Sequence, residues 1–238
     1  MIAVLAIFDV DGTIVNMNDA VDFDALLVDT FHEHGVVPPP VEKRDMLWRA
    51  GKDHAALLAS WGVHDARAFW DIFDRLDFEA RSSAIRDGRI TLYPDAAPAL
   101  ATLRASGDVA LAVHTNTPVK LARHQLEQFN IIKHFDAVLA LDADGYDQAR
   151  AKPEPWGIHH LQAIIGAAMG TDVKQRTVFI GDSRIDMDAA RNANVPGILV
   201  TRNEGPSINK GEFVTVTSLS TITPSYLDAI LQRFHAGT

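Results

Sequence analysis

The stretch LAIFDVDGTIVN (Leu5–Asn16) decides how the fold is interpreted. Its apolar run up to Phe8 is typical of a strand that is buried on both faces. Two aspartates, Asp9 and Asp11, follow at once, and a glycine and a threonine come next. Neighbouring carboxylates at the end of a buried strand repel each other unless a partner compensates their charge. We therefore expect a functional site at this position.

Composition narrows the class of protein. The 238 residues are 47% hydrophobic and 22% charged, which is ordinary for a soluble globular protein. The net charge of −9 argues against a nucleic-acid partner. The chain has no cysteine, which excludes disulfides and thiolate zinc sites and fits a cytoplasmic location. The first apolar run lacks a basic leader and is interrupted by acids, so we expect neither a signal peptide nor a membrane partner.

The pattern of apolar residues predicts an α/β fold. Helix-period patterns without strand alternation fill the region from about Asp19 to Ile85. Beyond it, strands predicted in VALAVHTN, FDAVLAL, RTVFIGD and GILVTR alternate with helices, and a last helix is predicted in PSYLDAILQRF. We predict a doubly wound parallel sheet in a core of residues 1–15 and 88–238. Residues 16–87 would form a smaller α-helical cap inserted after the first strand.

Chemically active residues follow the predicted strands at their carboxyl ends, where open α/β sheets bind ligands. This set comprises Asp9, Asp11, Thr115, Asn116, Lys152, Asp182 and Asp186. Crowded carboxylates favour a hard divalent cation, and Mg²⁺ prefers oxygen ligands and shares them with phosphates. Carboxylates, a lysine and a metal favour phosphoryl transfer, in which an aspartate can act as the nucleophile.

Four motifs in a fixed order resemble those of the haloacid dehalogenase superfamily of phosphohydrolases. They are DVDGT from residue 9, VHTN from residue 113, AKPEP from residue 151 and GDSRID from residue 181. The resemblance covers nearly the whole chain, and the helical insert is similar to the α-helical cap of the family. Within the superfamily the chain is most similar to the phosphoglycolate phosphatase and β-phosphoglucomutase group.

The resemblance implies roles for individual residues. Asp9 would be the nucleophile that takes the phosphoryl group, and Asp11 would be the general acid and then the base that activates water. Thr115 and the backbone N–H of Asn116 would bind phosphoryl oxygens, and Lys152 would bind the phosphoryl group and offset the carboxylate charge.

The resemblance also implies the metal site. Mg²⁺ would be held by Asp9, by the backbone carbonyl of Asp11 and by Asp182, with Asp186 as a support or as a helix cap. In the cap, LWRAGKDHAALL resembles the substrate-specificity loop of the group. Arg49 and Lys52 would then contact a carboxylate or phosphate of the substrate.

These observations predict a Mg²⁺-dependent phosphatase of a small phosphorylated metabolite, either phosphoglycolate-like or a sugar phosphate. The reaction would proceed through an aspartyl-phosphate. One alternative is a phosphomutase of the β-phosphoglucomutase type, which would require a sugar bisphosphate. The other is a non-catalytic binding or regulatory protein on the same fold. Neither the oligomeric state nor the role of the tail beyond Glu204 follows from the sequence.

Overall fold

The computed structural model describes residues 4–17, 19–202 and 213–236. Eight strands and nine α-helices occur in these ranges. The strands are β1 (Val4–Phe8), β2 (Val15–Asn16), β3 (Thr91–Leu92), β4 (Val109–Pro118), β5 (Ala137–Leu141), β6 (Thr177–Gly181), β7 (Gly197–Val200) and β8 (Val214–Val216). The helices are α1 (Phe23–Glu33), α2 (Val41–Arg44), α3 (His54–Ser60), α4 (Ala66–Arg86), α5 (Ala96–Ala105), α6 (Val119–Gln128), α7 (Trp156–Met169), α8 (Arg184–Asn192) and α9 (Pro224–Ala236).

Six of these strands form one parallel sheet in the order β5-β4-β1-β6-β7-β8. The strand β1 lies between β4 and β6, so the loop that follows it opens at the middle of the sheet. The strands β4 and β5 lie on one side of β1, and β6, β7 and β8 lie on the other, so the strand order reverses beside β1. Open α/β sheets bind their ligands at such a point. The predicted doubly wound parallel sheet is confirmed.

Alternation along β1 explains why its sequence is apolar at every position. Leu5 and Ile7 belong to the core on one face of the sheet, which α7 and α8 cover. Val4, Ala6 and Phe8 belong to the core on the other face, which α5, α6 and α9 cover. A parallel strand covered by helices on both faces has no solvent side on which polar residues are favoured.

The segment between β2 and β3 is helical, and it contains α1 to α4. It has its own apolar cluster, in which Leu27, Phe31, Leu58 and Phe69 are fully buried. Treating residues 16–87 as a separate cap domain stays a proposal. Across the described ranges, no helix combines the length and apolar character that crossing a bilayer requires.

Two features differ from the sequence-based expectation, and one expectation falls on residues that the structure does not describe. The short antiparallel pair β2 and β3, through which the chain leaves and re-enters the core, was not predicted. The sixth strand, β8, was not predicted either, because three residues are too few for a periodic pattern. The first strand was predicted from Met1, and residues 1–3 lie outside the described ranges.

The last part of the chain is attached to the loop after β1 by Arg202. Its guanidinium donates to both carboxylate oxygens of Asp95 at 2.7 Å and to the carbonyl of Thr13 at 2.6 Å. Asp95 also accepts from Ser218 Oγ at 2.6 Å and from the backbone N–H of Leu219 at 2.7 Å. This network ties the segment before α9 to the loop that carries the aspartates.

The central strand should be sensitive to loss of volume. Ile7 is 0% exposed, and Ile7→Ala should lower the free energy of unfolding by about 3 kcal/mol, because a cavity remains in a two-faced core. Ile164 is 38% exposed, and Ile164→Ala should change it by less than about 0.5 kcal/mol. Urea unfolding of both variants measures the difference, and equal effects would contradict the assignment of β1 as the centre of the sheet.

Candidate active site

Asp9 and Lys152 form a buried ion pair at the centre of the site. Asp9 follows β1 directly, and its Oδ1 lies 2.6 Å from Lys152 Nζ. Lys152 Nζ also lies 2.6 Å from Asp186 Oδ1. The side chains of all three are more than nine-tenths buried. Burial acts to lower the pKa of Lys152, but the charges of Asp186 and Asp9 outweigh it and raise that pKa, so the ammonium stays protonated.

The loop after Asp9 turns tightly against β6. Gly12 has φ +79°, and a Cβ added there would lie 2.1 Å from Asp182 Oδ2. Only glycine fits this position, because it tolerates the left-handed conformation and lets the two loops approach. Thr13 Oγ1 lies 3.2 Å from Asp182 Oδ1 and 3.4 Å from Asp9 Oδ2. The threonine hydroxyl thus holds the loops after β1 and β6 at a fixed separation.

Asp186 completes the cap of the helix that follows β6, whose N-cap residue is Ser183. It forms a capping box with Ser183, in which Asp186 Oδ2 accepts from the serine Oγ at 2.6 Å and from its backbone N–H at 3.1 Å. Its other oxygen accepts from Lys152. Both carboxylate oxygens of Asp186 therefore have protein partners, and the residue holds Lys152 in place.

Asp9, Asp182 and Asp186 form an acidic cluster with one ligand atom from each within 4.8 Å of the others. Burial raises the pKa of Asp9 well above its usual range, and Asp186 and Asp182 add to this while Lys152 opposes it. Burial and Asp186 likewise raise the pKa of Asp182 to about 7. Three carboxylates against one ammonium leave uncompensated negative charge, so an oxygen-preferring divalent cation fits this cluster.

Asp11 points toward the helical segment instead. Its Oδ2 forms an ion pair with Arg81 Nη1 and accepts from Thr117 Oγ1 at 2.8 Å, and its Oδ1 accepts from Gln125 Nε2 at 3.3 Å. Arg81 Nε donates to Asp77 Oδ1 at 2.8 Å. Burial acts to raise the pKa of Asp11, but the charge of Arg81 and these hydrogen bonds outweigh it and lower that pKa.

Sequence reasoning did not single out Arg81. The only local signal is its spacing from Asp77, an (i, i+4) pair on α4 that is ordinarily a surface pair. In the structure the side chains of both are almost fully buried. Arg81 joins the helical segment to Asp11, and nothing local in the sequence indicates this contact between residues seventy positions apart.

The end of β4 supports the lysine loop. The side-chain amide of Asn116 donates to the carbonyl of Lys152 at 3.1 Å and accepts from its N–H at 2.9 Å. Tyr146 OH donates to Asn116 Oδ1 at 2.5 Å. The neighbouring Thr115 is 2% exposed, and its Oγ1 accepts from the N–H of Thr117 at 3.1 Å. Asn116 thus positions Lys152 through its side chain, a contact that the motif alone does not reveal.

These groups line one cavity of about 310 Å³ between the sheet and the helical segment. Seven of the nine site residues named from the sequence line it: Asp9, Asp11, Thr115, Asn116, Lys152, Asp182 and Asp186. Arg49 and Lys52 are exposed and do not line it. Their neighbour Trp48 lines the cavity. Arg49 and Lys52 lie on a surface turn, where charged side chains keep their charged groups in water. Contact of Arg49 or Lys52 with a substrate stays a prediction that the cavity does not support.

A family model described as haloacid dehalogenase-like hydrolase matches residues 4–194. The chain belongs to this family. The prediction made from the four motifs is therefore confirmed. The match and the phosphatase relatives also confirm the predicted enzyme class, a phosphatase of the haloacid dehalogenase type.

Relatives of this haloacid dehalogenase-like hydrolase carry two kinds of names. The phosphoglycolate phosphatase of Agrobacterium fabrum is 29% identical over 234 residues, covering 96% of this chain and 94% of the relative. The tyrosine-protein kinase PtkA of Mycobacterium tuberculosis is 26% identical over 221 residues, covering 92% of this chain and 68% of the relative. The structure of CbbY from Rhodobacter sphaeroides in complex with phosphate superimposes with a TM-score of 0.66 at 22% identity, covering 96% of this chain and all of that one, which shows a shared fold.

Without a bound cation, repulsion within the acidic cluster should lower the free energy of unfolding. The folded-state pKa of Asp182, about 7, lies above its ordinary value of 3.8, so the folded protein binds a proton more tightly than the unfolded chain does. Its ionised form therefore destabilises the fold above pH 7, and this cost shrinks as the pH falls from 7 toward 4. In EDTA at pH 8, Asp182→Asn should raise the free energy of unfolding by roughly 1–2 kcal/mol, with a smaller gain at pH 5.

Urea unfolding at the two pH values measures this change. The exposed Asp29→Asn on α1 is the matched control and should have no effect at either pH. Added Mg²⁺ should stabilise the wild type and not the variant. Destabilisation by Asp182→Asn in EDTA would contradict the repulsion inferred for the cluster.

Proposed function

We propose that this protein is a Mg²⁺-dependent phosphatase that hydrolyses a small phosphorylated metabolite through an aspartyl-phosphate on Asp9. One observation carries the proposal. The carboxylate of Asp9 lies at the cavity, held by Lys152 and flanked by Asp182 and Asp186. A carboxylate positioned between an ammonium and a cation site can approach a phosphate dianion without prohibitive repulsion.

Asp9 and Asp182 would hold Mg²⁺ together with the backbone carbonyl of Asp11, which is the set that the family resemblance implies. Bound there, the ion would offset the charge of the carboxylates and of the phosphoryl oxygens. Asp186 would act indirectly, since its two oxygens already bind Lys152 and Ser183.

The proposed chemistry uses Asp9 and Asp11 in the roles that the family resemblance implies. An Asp9 oxygen attacks phosphorus, the bond to the ester oxygen breaks, and Asp11 gives its proton to the departing alcohol. Thr115 and Lys152 bind the phosphoryl oxygens in this step. Water then attacks the phosphoaspartate, Asp11 takes the proton of that water, and phosphate leaves with Asp9 restored.

Arg81 bears directly on the two states that Asp11 must adopt. Pairing with Arg81 favours the ionised carboxylate, which suits the base of the second step. Asp11 must be protonated to act as the acid of the first step, so its ion pair with Arg81 must weaken when substrate is bound. Because Arg81 lies on α4 of the helical segment, residues 16–87 would act as a mobile cap that changes the acidity of Asp11 and excludes water.

The cytoplasmic location and the identity of the phosphate ester remain part of this proposal. The name of the Agrobacterium relative suggests phosphoglycolate as one substrate to test. A sugar phosphate is the other expectation, and a sugar bisphosphate tests the phosphomutase alternative.

Phosphate release from a panel of phosphorylated metabolites tests the proposal. Wild type should release phosphate with Mg²⁺ and not with EDTA. Asp9→Asn should lower turnover at least about 10³-fold, because the nucleophile is lost while the shape is kept. Asp29→Asn should retain full activity. Mg²⁺-dependent turnover that survives in Asp9→Asn would contradict an aspartyl-phosphate, and isomerisation of a sugar phosphate without phosphate release would identify the mutase.

Replacing Arg81 should change the pH dependence. In Arg81→Gln, burial acts on Asp11 without the opposing charge, so the pKa of Asp11 should rise. The acidic limb of the kcat profile, which reports Asp11 as the base of the second step, should then move to higher pH. At neutral pH, kcat should fall at least about 10-fold, because less of Asp11 is ionised when it must act as the base. Stopped assays between pH 5 and 9 measure both effects.

Two further variants serve as controls. Arg75 lies on the same helix and pairs with Glu33 and Glu79 at the surface, so Arg75→Gln should leave the profile unchanged. If Arg81→Gln folds poorly, the double variant with Asp77→Asn removes one of the two carboxylates left without a partner. An unshifted acidic limb in a folded Arg81→Gln variant would show that Arg81 does not control Asp11.

A further inference from the structure

The part of the cavity lining that the helical segment contributes is largely aromatic. Phe23, Trp48, Trp70 and Phe73 from the helical segment all line the cavity. Trp48 is the centre of the group, since its ring lies 6.4 Å from Phe23, 6.3 Å from Trp70 and 5.5 Å from Phe73 between centroids. These four residues are called the aromatic wall below. A substrate whose phosphate reaches Asp9 must place the rest of its structure near this wall.

The charges beside the aromatic wall are predominantly negative. Asp74 and Asp77 on α4 line the cavity, and so does Asp11 from the core. Against these three carboxylates stands one guanidinium, Arg81, which is already shared between Asp11 and Asp77. Lys152 is the other cation of the lining, and it is buried between Asp9 and Asp186.

Asp74 has no charged or hydrogen-bonding partner among the described residues. It is partly exposed, and it contributes to the cavity from the middle of α4. Burial raises its pKa to about 7, and the neighbouring charges of Asp142, Asp77 and Asp71 add to this. A carboxylate held among other acids beside aromatic rings is a poor environment for an anion and a favourable one for a cation.

We propose that the site accepts phosphate monoesters whose leaving group carries a methylated ammonium, with the cation held by the aromatic wall and by Asp74. This inference rests on the proposed phosphatase function and specifies its substrate class. The phosphate of such an ester would bind at Lys152 and at the Mg²⁺ site, and its ammonium group would contact the aromatic wall and Asp74. Methyl groups on the nitrogen add apolar contact with the rings, and they lower the cost of removing the cation from water.

The same site already contains one contact of this type. The guanidinium carbon of Arg81 lies 5.0 Å from the centroid of the Phe23 ring, a cation–π geometry. A carboxylated leaving group such as that of phosphoglycolate finds no comparable partner. In the described part of the chain, the cations that line the cavity, Arg81 and Lys152, are already paired with carboxylates, and the exposed Arg49 and Lys52 do not line it.

Three substrates of similar size separate the possibilities. Phosphocholine carries the trimethylammonium group, and 3,3-dimethylbutyl phosphate has the same shape without the charge. Phosphoglycolate carries a negative charge instead. At pH 8 with Mg²⁺, kcat/KM for phosphocholine should exceed that for its neutral isostere about 10-fold and that for phosphoglycolate by more.

Variants assign the preference to its two components. Asp74→Asn should reduce the preference for phosphocholine over the neutral isostere to about 2-fold or less, mainly through KM. Trp48 is 39% exposed, and Trp48→Leu should reduce the same preference without unfolding the protein. Asp71→Asn, one turn away on the exposed face of α4, should leave the preference unchanged.

The outcomes separate this inference from the function on which it rests. Mg²⁺-dependent hydrolysis of p-nitrophenyl phosphate that requires Asp9 supports the phosphatase by itself. If that activity is present and phosphoglycolate or the neutral isostere is hydrolysed as well as phosphocholine, the inference is overturned and the phosphatase stands. If no ester is hydrolysed, both fall. Loss of the preference in Asp71→Asn as fully as in Asp74→Asn would show a general effect of charge and overturn the role of Asp74.

Discussion

The ammonium group of Lys152 bonds two buried carboxylates at once, and the rest of the site depends on this contact. Asp9 follows β1 and Asp186 lies on α8, the helix after β6, so the lysine joins segments that are far apart in the chain. A buried ammonium with one partner would lose more in dehydration than it gains. Two carboxylates raise its pKa and keep it charged, while Asn116 holds its backbone. The third carboxylate of the cluster, Asp182, accepts a hydrogen bond from Thr13 Oγ1 and in the proposed function would bind the cation.

A second ion pair, between Arg81 and Asp11, gives the two aspartates of the first motif different surroundings. Asp9 faces Lys152 in the core, whereas Asp11 faces Arg81 on the helical segment. Burial acts on both carboxylates, yet their pKa values move in opposite directions because their partners differ. The first step of the proposed reaction needs the reverse order, an ionised Asp9 and a protonated Asp11, so a bound cation must lower the pKa of Asp9 and bound substrate must weaken the pairing of Asp11 with Arg81. In the proposed function, the helical segment would therefore control the acidity of Asp11 as well as the shape of the cavity.

Much of the fold was predictable because its signals are local. Apolar runs, helical periods and turn residues predicted the five long strands of the sheet and the helices between them. The short strands were missed, since β2, β3 and β8 have two or three residues and exist only because a neighbour pairs with them. Seven of the nine named residues meet at one cavity, because parallel strands carry their following loops to one edge. Arg49 and Lys52 were chosen from a loop motif alone, and loop position does not determine which side chain turns inward.

The sequence by itself determined the family, the sheet and the set of groups available for chemistry. These depend on residue types at fixed spacing, and the four motifs contain that spacing. Only the tertiary structure decided which group faces which. It paired Arg81 with Asp11, brought the aromatic wall and the acids to one cavity and left Asp74 without an ion pair or hydrogen bond to any other described residue. Such contacts join distant segments, and their strength depends on burial and on the charges that share each space, neither of which is a property of any single stretch of chain.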